Sequence, residues 1–274
     1  FSPDWRVFSK IQAVVKKFYQ YTLGVFLINK TVDGIRAVSD WEKFEMIKHG
    51  VNPSLIKVIN NGIEEKGFVD LEKFASKQVK SIVSRNQPYI IQVGRVHPIK
   101  NYETAIKALT LLSENLNYLI VGPEQDLQYK KELEILIKKH ELEDRVKFLG
   151  VVRGVDKYYL IKNAELMVHM ATWESFCNTV HEGMSQGLVC IVSNRTALPH
   201  LVKDIVNGYC LGTNNYKVLA RKIIFVLNNK KSPVIKEIQK RNIQFTKNHS
   251  WKNIAKEVGG VYETVFEISK LKYV

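Results

Sequence analysis

From residue 88 onward, short apolar runs alternate with longer amphipathic stretches. The runs at 89–93, 118–121, 146–149, 166–170, 188–192 and about 208–211 are bounded mostly by glycine, proline or polar residues, so they read as buried strands. The stretches at about 102–113, 127–140 and 156–162 repeat their apolar positions with helical spacing, and further helical stretches follow residue 211. Strands alternating with helices predict a parallel, doubly wound α/β sheet. The segment 171–187 lies between two apolar runs and reads as a strand exit followed by a helix.

Before residue 88 the pattern is less regular. Residues 4–20 have helical spacing through Trp5, Phe8, Ile11, Val15, Phe18 and Tyr19, with Asp4 as N-cap. Arg6, Lys10, Lys16 and Lys17 make that helix basic, which suits either an anionic lipid surface or a packed helix with a solvated face. A strand is expected at 34–38, then a helix capped by Ser39-Asp40 and ending near Lys48, then a strand at 56–59 broken by Asn60-Asn61-Gly62. Residues 64–86 are polar and lysine-rich and read as a linker or boundary helix.

The chain has 274 residues, 45% of them hydrophobic, enough for one large domain or two small ones. Its 41 basic residues against 27 acidic ones give a net charge of +14, which favours anionic partners. The lysine pairs Lys16-Lys17, Lys130-Lys131, Lys138-Lys139 and Lys230-Lys231 are dispersed, as solvated helix faces are, so nucleic acid is not the expected partner. Cys177, Cys190 and Cys210 form no C-x-x-C, which argues against a disulfide framework or a zinc site and for a reducing cytoplasm. No apolar run approaches the roughly 18 residues of a membrane span. The sequence opens at Phe1 without an initiator or a signal-peptide pattern and is expected to be a fragment or a processed product.

Two stretches carry candidate chemistry. Glu174 falls at the C-terminal end of an expected strand and Glu182 inside the following helix. Ligands bind at that end of open α/β sheets, where a helix N-terminus offers N–H groups to an anion and carboxylates accept from hydroxyls. The second stretch follows the 89–93 strand. Gly94 there permits close backbone approach, and Arg95 and Lys100 place two cations at a strand end before a helix, suited to a diphosphate. Together they suit a phosphorylated sugar or a nucleotide.

Other matches are weaker. Gly183-Met184-Ser185-Gln186-Gly187 fits a nucleophile elbow in letters, but helix precedes and strand follows, the reverse of what an elbow needs. Lys66-Gly67-Phe68-Val69 matches part of an RNA-recognition octapeptide without its second aromatic cluster. His97, His169, His181 and His200 lack metal-ligand spacing; His169 reads as a core histidine, and His97 as touching either a ligand or solvent. A helix N-terminus at Cys177 is expected to lower its thiol pKa.

Gly94-Arg95 with Lys100-Asn101, then Glu174-Ser175-Phe176 and Glu182, resemble the signature of GT-B glycosyltransferases of glycosyltransferase family 4, the group 1 type, which retain anomeric configuration and use nucleotide-diphosphate sugars. Residues 33–39 are similar to the last strand of that family's N-terminal domain and residues 57–62 to its interdomain crossing; 146–150 and Asn207-Gly208 also match, so the resemblance covers roughly residues 30–265. It implies a complete Rossmann-like C-terminal domain plus the end of an N-terminal one. Residues 1–62 would end the acceptor-side domain and cross over, 63–86 would be the boundary, 87–250 the donor domain, and 251–274 a helix returning toward the first domain.

By the same resemblance, Arg95 and Lys100 would neutralise the donor diphosphate, with Gly94 beside them. Glu182 would accept from the ribose hydroxyls, and Glu174 would face the transferred sugar next to Ser175 and Phe176. Backbone N–H groups of Cys177, Asn178 and Thr179 would cradle phosphate, and the 150–153 loop with Arg153 would lie near the base. No metal and no further cofactor is implied, and no Asp-x-Asp occurs. The family usually has glycine at Cys177, where the larger side chain would crowd the donor sugar. The acceptor would be a glycan or a lipid-linked sugar, at a cytoplasmic site with peripheral membrane contact. The acceptor domain would come from upstream sequence or a partner chain, so this chain alone should bind donor but catalyse poorly. Ile254, Val258, Val261, Tyr262 and Val265 of the last helix would then be partly exposed. The rival readings are a nucleotide-sugar epimerase of the same fold and a non-catalytic nucleotide-sugar or nucleic-acid binding module.

Overall fold

The structure is a computed structural model that describes residues 14–15, 18–212 and 214–271. The helix expected over residues 4–20 therefore lies largely outside the described residues. The chain divides into two compact units, one of residues 1–60 and 254–274, the other of residues 61–253.

In the first unit, Gln20–Gly24 forms a π-helical turn that runs into helix α1, Val25–Thr31. Thr22 and Thr31 donate their hydroxyls back to the carbonyls of Phe18 and Leu27, four residues earlier. Strands β1 (Ile35–Ala37) and β2 (Ile56–Val58) pair in parallel, Ile35 opposite Ile56, joined through helix α2, Asp40–Lys48. Ser39 caps α2 as its sequence suggested: its side chain accepts from the Glu42 N–H at 3.1 Å, and Glu42 Oε2 accepts from the Val38 N–H at 2.7 Å. Val25, Ala37, Val51 and Ile56 form the buried core.

The second unit opens with helices α3, Leu71–Phe74, and α4, Lys77–Asn86; α4 buries Val79 and Val83. Its strands are β3 (Tyr89–Val93), β4 (Asn117–Val121), β5 (Val146–Phe148), β6 (Met167–His169), β7 (Cys190–Ser193) and β8 (Tyr209–Leu211). They form one parallel six-stranded sheet in the order β5-β4-β3-β6-β7-β8. The interleaved helices are α5 (Tyr102–Leu109), α6 (Leu127–Lys139), α7 (Gly154–Lys162), α8 (Asn178–Ser185), α9 (Leu198–Leu201), α10 (Tyr216–Asn228) and α11 (Pro233–Thr246). Helix α12, Trp251–Leu271, starts at the end of this unit and from Ile254 on belongs to the first. Every residue of β3 is buried, as a strand covered on both faces requires.

The chain winds outward from β3 through β4 to β5, then returns to β6 on the other side of β3. The loops leaving β3 and β6 thus part company at the middle of the sheet, the topological switch point where open α/β sheets bind ligands. Buried Gln92 in β3 anchors one of these loops. Its Oε1 accepts from the Tyr118 hydroxyl at 2.7 Å, and its Nε2 donates to the Lys100 carbonyl at 2.9 Å. Ile254 differs from expectation, being buried rather than partly exposed, while Tyr262 stands 73% exposed.

Candidate active site

The loop after β3 is built by close backbone approach. The Gly94 N–H donates to the Val121 carbonyl at 2.8 Å. Gly122, with φ +150°, lies so near that a Cβ there would sit 2.0 Å from the Gly94 carbonyl oxygen. Arg95 follows, exposed. His97 then starts a short 3-10 turn, Pro98–Lys100, by accepting from the Ile99 N–H at 3.2 Å through Nδ1. Asn101 closes the turn in the left-handed region, φ 51°. Its side chain donates to the Met170 carbonyl at 3.0 Å and accepts from the Thr104 hydroxyl at 2.7 Å.

This turn points Lys100 at the loop after β6. The Lys100 ammonium donates to Glu174 Oε1, and His169 Nε2 lies 2.7 Å from the same oxygen. Burial pushes the Glu174 carboxyl up, but the His169 hydrogen bond and the Lys100 charge outweigh it and hold the group at about 2. Burial lowers His169 and so favours the neutral ring, against the pull of Glu174, and Nε2 is the nitrogen that faces the carboxylate; Nδ1 is buried without a hydrogen-bond partner among the described residues. The core-histidine reading of His169 was right about burial and missed this contact with the glutamate.

Cys177 is the N-cap of α8, buried, with φ 83° and ψ 75°. Its sulfur lies 3.6 Å from the Thr179 hydroxyl. The expectation of a lowered thiol pKa is overturned: burial, with the Glu174 charge, pushes the thiol well up. Ligand atoms of His169, Glu174 and Cys177 lie within 4.8 Å of one another. The cation paired with Glu174 is Lys100, whose ammonium contacts the same carboxylate oxygen as His169.

Glu182 lies inside α8. Its Oε1 accepts from Lys157 Nζ at 2.8 Å, and Glu64 Oε1 lies 3.8 Å from the same ammonium. Glu182 Oε2 is buried and has no hydrogen-bond partner among the described residues. Burial raises the Glu182 carboxyl and Lys157 opposes that rise. Ser185, one turn on, donates its hydroxyl to the Glu182 carbonyl at 2.7 Å at the helix end, not on a strand-to-helix elbow.

The structure brings Gly94, Lys100, Glu174 and Cys177 together: the Lys100 stem passes 3.6 Å from where a Gly94 Cβ would stand. Ser175 is half-buried in the same loop, and Phe176 is buried edge-on to His181 at 5.2 Å. Thr179 and Asn178 form the first turn of α8, Asn178 Oδ1 accepting from Asn61 Nδ2 at 2.9 Å. Arg95 and Arg153 are exposed; the ion pairs to the two glutamates run through Lys100 and Lys157. Lys157 was missed by sequence reasoning. Its signal was its place in α7 directly before the buried run Tyr158, Tyr159, Leu160 and Ile161, where an ordinary solvated lysine is out of place.

The fold is an open, doubly wound parallel α/β sheet, with the Lys100–Glu174 ion pair joining the loops at its switch point and Lys157–Glu182 paired on the helices that follow. The particular family follows from residues 74–253, which match the glycosyl transferases, group 1; the chain belongs to that family. It is 29% identical over 228 residues to an uncharacterized glycosyltransferase of Methanocaldococcus jannaschii, covering 78% of this chain and 55% of that one. It is also 29% identical over 195 residues to the UDP-Gal:alpha-D-GlcNAc-diphosphoundecaprenol alpha-1,3-galactosyltransferase of Escherichia coli, covering 66% and 47%. The chain thus spans about half the length of these relatives. Among solved structures it superposes on a glycosyltransferase from Rickettsia africae with TM-score 0.78 at 20% identity, covering 92% of this chain and 66% of that one. The Anabaena HepE protein in complex with UDP gives 0.77 at 21% identity, covering 89% and 67%. The fold is of the GT-B type, as the sequence reading expected. Among the described residues, no helix is long and apolar enough to cross a membrane.

Proposed function

We propose that this chain supplies the donor side of a retaining glycosyltransferase. It would bind a nucleotide-diphosphate sugar between the loops after β3 and β6 and pass the sugar to a glycan or lipid-linked acceptor. The observation that carries this reading is the Glu182 carboxylate, buried with Oε1 paired and Oε2 unpaired. A buried acceptor without a donor costs about 1–3 kcal/mol, and a ribose hydroxyl would remove that penalty. Arg95, exposed at the loop tip, and Lys100 would face the diphosphate, joined by the N–H groups of Cys177, Asn178 and Thr179 at the start of α8. As the bond between sugar and diphosphate breaks, negative charge collects on the departing phosphate, and fixed positive groups stabilise it as it forms. Glu174, kept ionised, would accept from hydroxyls of the transferred sugar beside Ser175 and Phe176, and Arg153 would border the base.

The test is calorimetric titration of the chain with UDP, GDP and ADP sugars, repeated for Arg95→Ala and Glu182→Gln. Each variant should bind at least about tenfold more weakly, the loss of one charge-assisted hydrogen bond. Unchanged affinity in both variants would refute the assignment.

A further inference from the structure

Lys157 occupies an unusual position for a lysine. Its side chain is 13% exposed, its ammonium sits 4.8 Å over the Tyr158 ring, and it is held 2.8 Å from Glu182 Oε1. The carboxylate partner is 11% exposed, so neither charge is a surface ornament. A flexible carboxylate in this pocket could rotate and share both oxygens with the ammonium. Instead one oxygen is taken and the other is left buried without a donor. That division is what a hydroxyl-binding carboxylate needs: one oxygen fixed by a permanent cation, the other preset for the ligand. Lys157 also balances the negative charge of a second carboxylate, since Glu64 lies 3.8 Å from the same ammonium.

We infer that Lys157 is a positioning residue that orients Glu182 and keeps it an acceptor, so that the enzyme's preference for ribose over deoxyribose in the donor nucleotide depends on a residue that need not touch the nucleotide. The inference rests on the donor-site reading above. Lys157 acts in two ways. It holds the rotamer that aims Oε2, and it offsets the burial that would protonate the carboxyl. The groups facing Glu182 are Lys157 and Tyr158 from α7 and Glu64 from the segment before α3. Of these only Lys157 favours the ionised carboxylate, so its removal leaves burial and Glu64 unopposed.

The experiment measures affinity of the full chain for UDP, GDP and ADP and for their 2′-deoxy and 3′-deoxy forms, across pH, for the parent, Lys157→Met, Lys157→Gln and Lys157→Arg. The parent should prefer a ribonucleotide over one of its deoxy forms by about tenfold or more, the value of one hydrogen bond to a charged group. In Lys157→Met that preference should fall to about twofold or less, and the acid-side midpoint of binding should move to higher pH. Lys157→Arg should restore most of both. Lys157→Gln, which keeps a donor without the charge, guards against misfolding of the methionine variant and should lose the pH position while keeping part of the preference. A folded Lys157→Met with the parent's preference and pH midpoint would overturn the inference. A parent with no preference for ribose would instead overturn the role of Glu182, and this inference with it.

Discussion

Lys100 and Glu174 are bound to each other across the place where the sheet changes its direction of winding, one from the loop after β3 and the other from the loop after β6. The same carboxylate oxygen also receives His169 from the end of β6. Glu174 is therefore a buried negative charge whose only ammonium partner among the described residues is Lys100.

Lys100→Met should destabilise the chain by about 3 kcal/mol, because removing one member of a buried pair strands the other. The acid response should change as well. The folded Glu174 carboxyl lies at about 2, below its ordinary 4.5, so its stabilising share is complete above 4.5 and is lost as pH falls toward 2. Without Lys100 the folded value rises, and less stability remains to be lost in that window. Urea midpoints at about pH 3.5 and 7 should therefore differ less in the variant than in the parent.

His181 predicts acid sensitivity of another origin. It is wholly buried against Phe176, Phe245 and His249, and neither ring nitrogen has a hydrogen-bond partner among the described residues. Burial, with His249 nearby, pushes it down from 6.5 to about 3. Between those values the unfolded chain takes up a proton that the fold refuses, so stability falls with pH by up to about 1.4 kcal/mol per unit. His181→Leu should flatten this slope, seen as a smaller difference in urea midpoint between about pH 7 and pH 5. An unchanged slope would mean that the ring is protonated in place.

Cys177 should invert the usual order of alanine and glycine. At φ 83° an L side chain is strained, by about 1 kcal/mol or more, and glycine is not. Cys177→Gly should therefore melt higher than Cys177→Ala, by about 1 kcal/mol in stability. The glycine variant should also widen the range of donor sugars bound, because it clears the space beside Glu174.

Gly122→Ala should cost at least about 2 kcal/mol and weaken donor binding. The added carbon would run into the Gly94 carbonyl, 2.0 Å away, and the loop carrying Arg95 would have to shift. Thermal melting and calorimetry on the same sample would separate the two effects.

Much of the fold was legible because its signals are local. The runs at 89–93 and 118–121 became β3 and β4 almost unchanged, since short apolar runs bounded by Pro88, Gly94 and Gly122 have few other ways to bury themselves. The glutamates and the Gly94–Lys100 loop were legible as residue types at strand ends. Their pairing was not. The one signal for Lys157, the apolar run Tyr158–Ile161 that follows it, does not say whether it meets Glu182 or stays exposed as Arg95 does, because that depends on which face of α7 turns inward. Cys177 misled for a related reason: a helix start lowers a thiol pKa only when the sulfur is solvated, and here it is enclosed.

The stitching between the two loops at the switch point has its own consequence. Asn101 grips the Met170 carbonyl, and the Thr172 N–H donates to the Ile99 carbonyl at 2.8 Å. The two loops are fastened to each other at their base, so that a displacement of either one would have to break these bonds. Under the proposed donor-site reading, a ligand held between these loops would give up little of its binding energy to drawing them together.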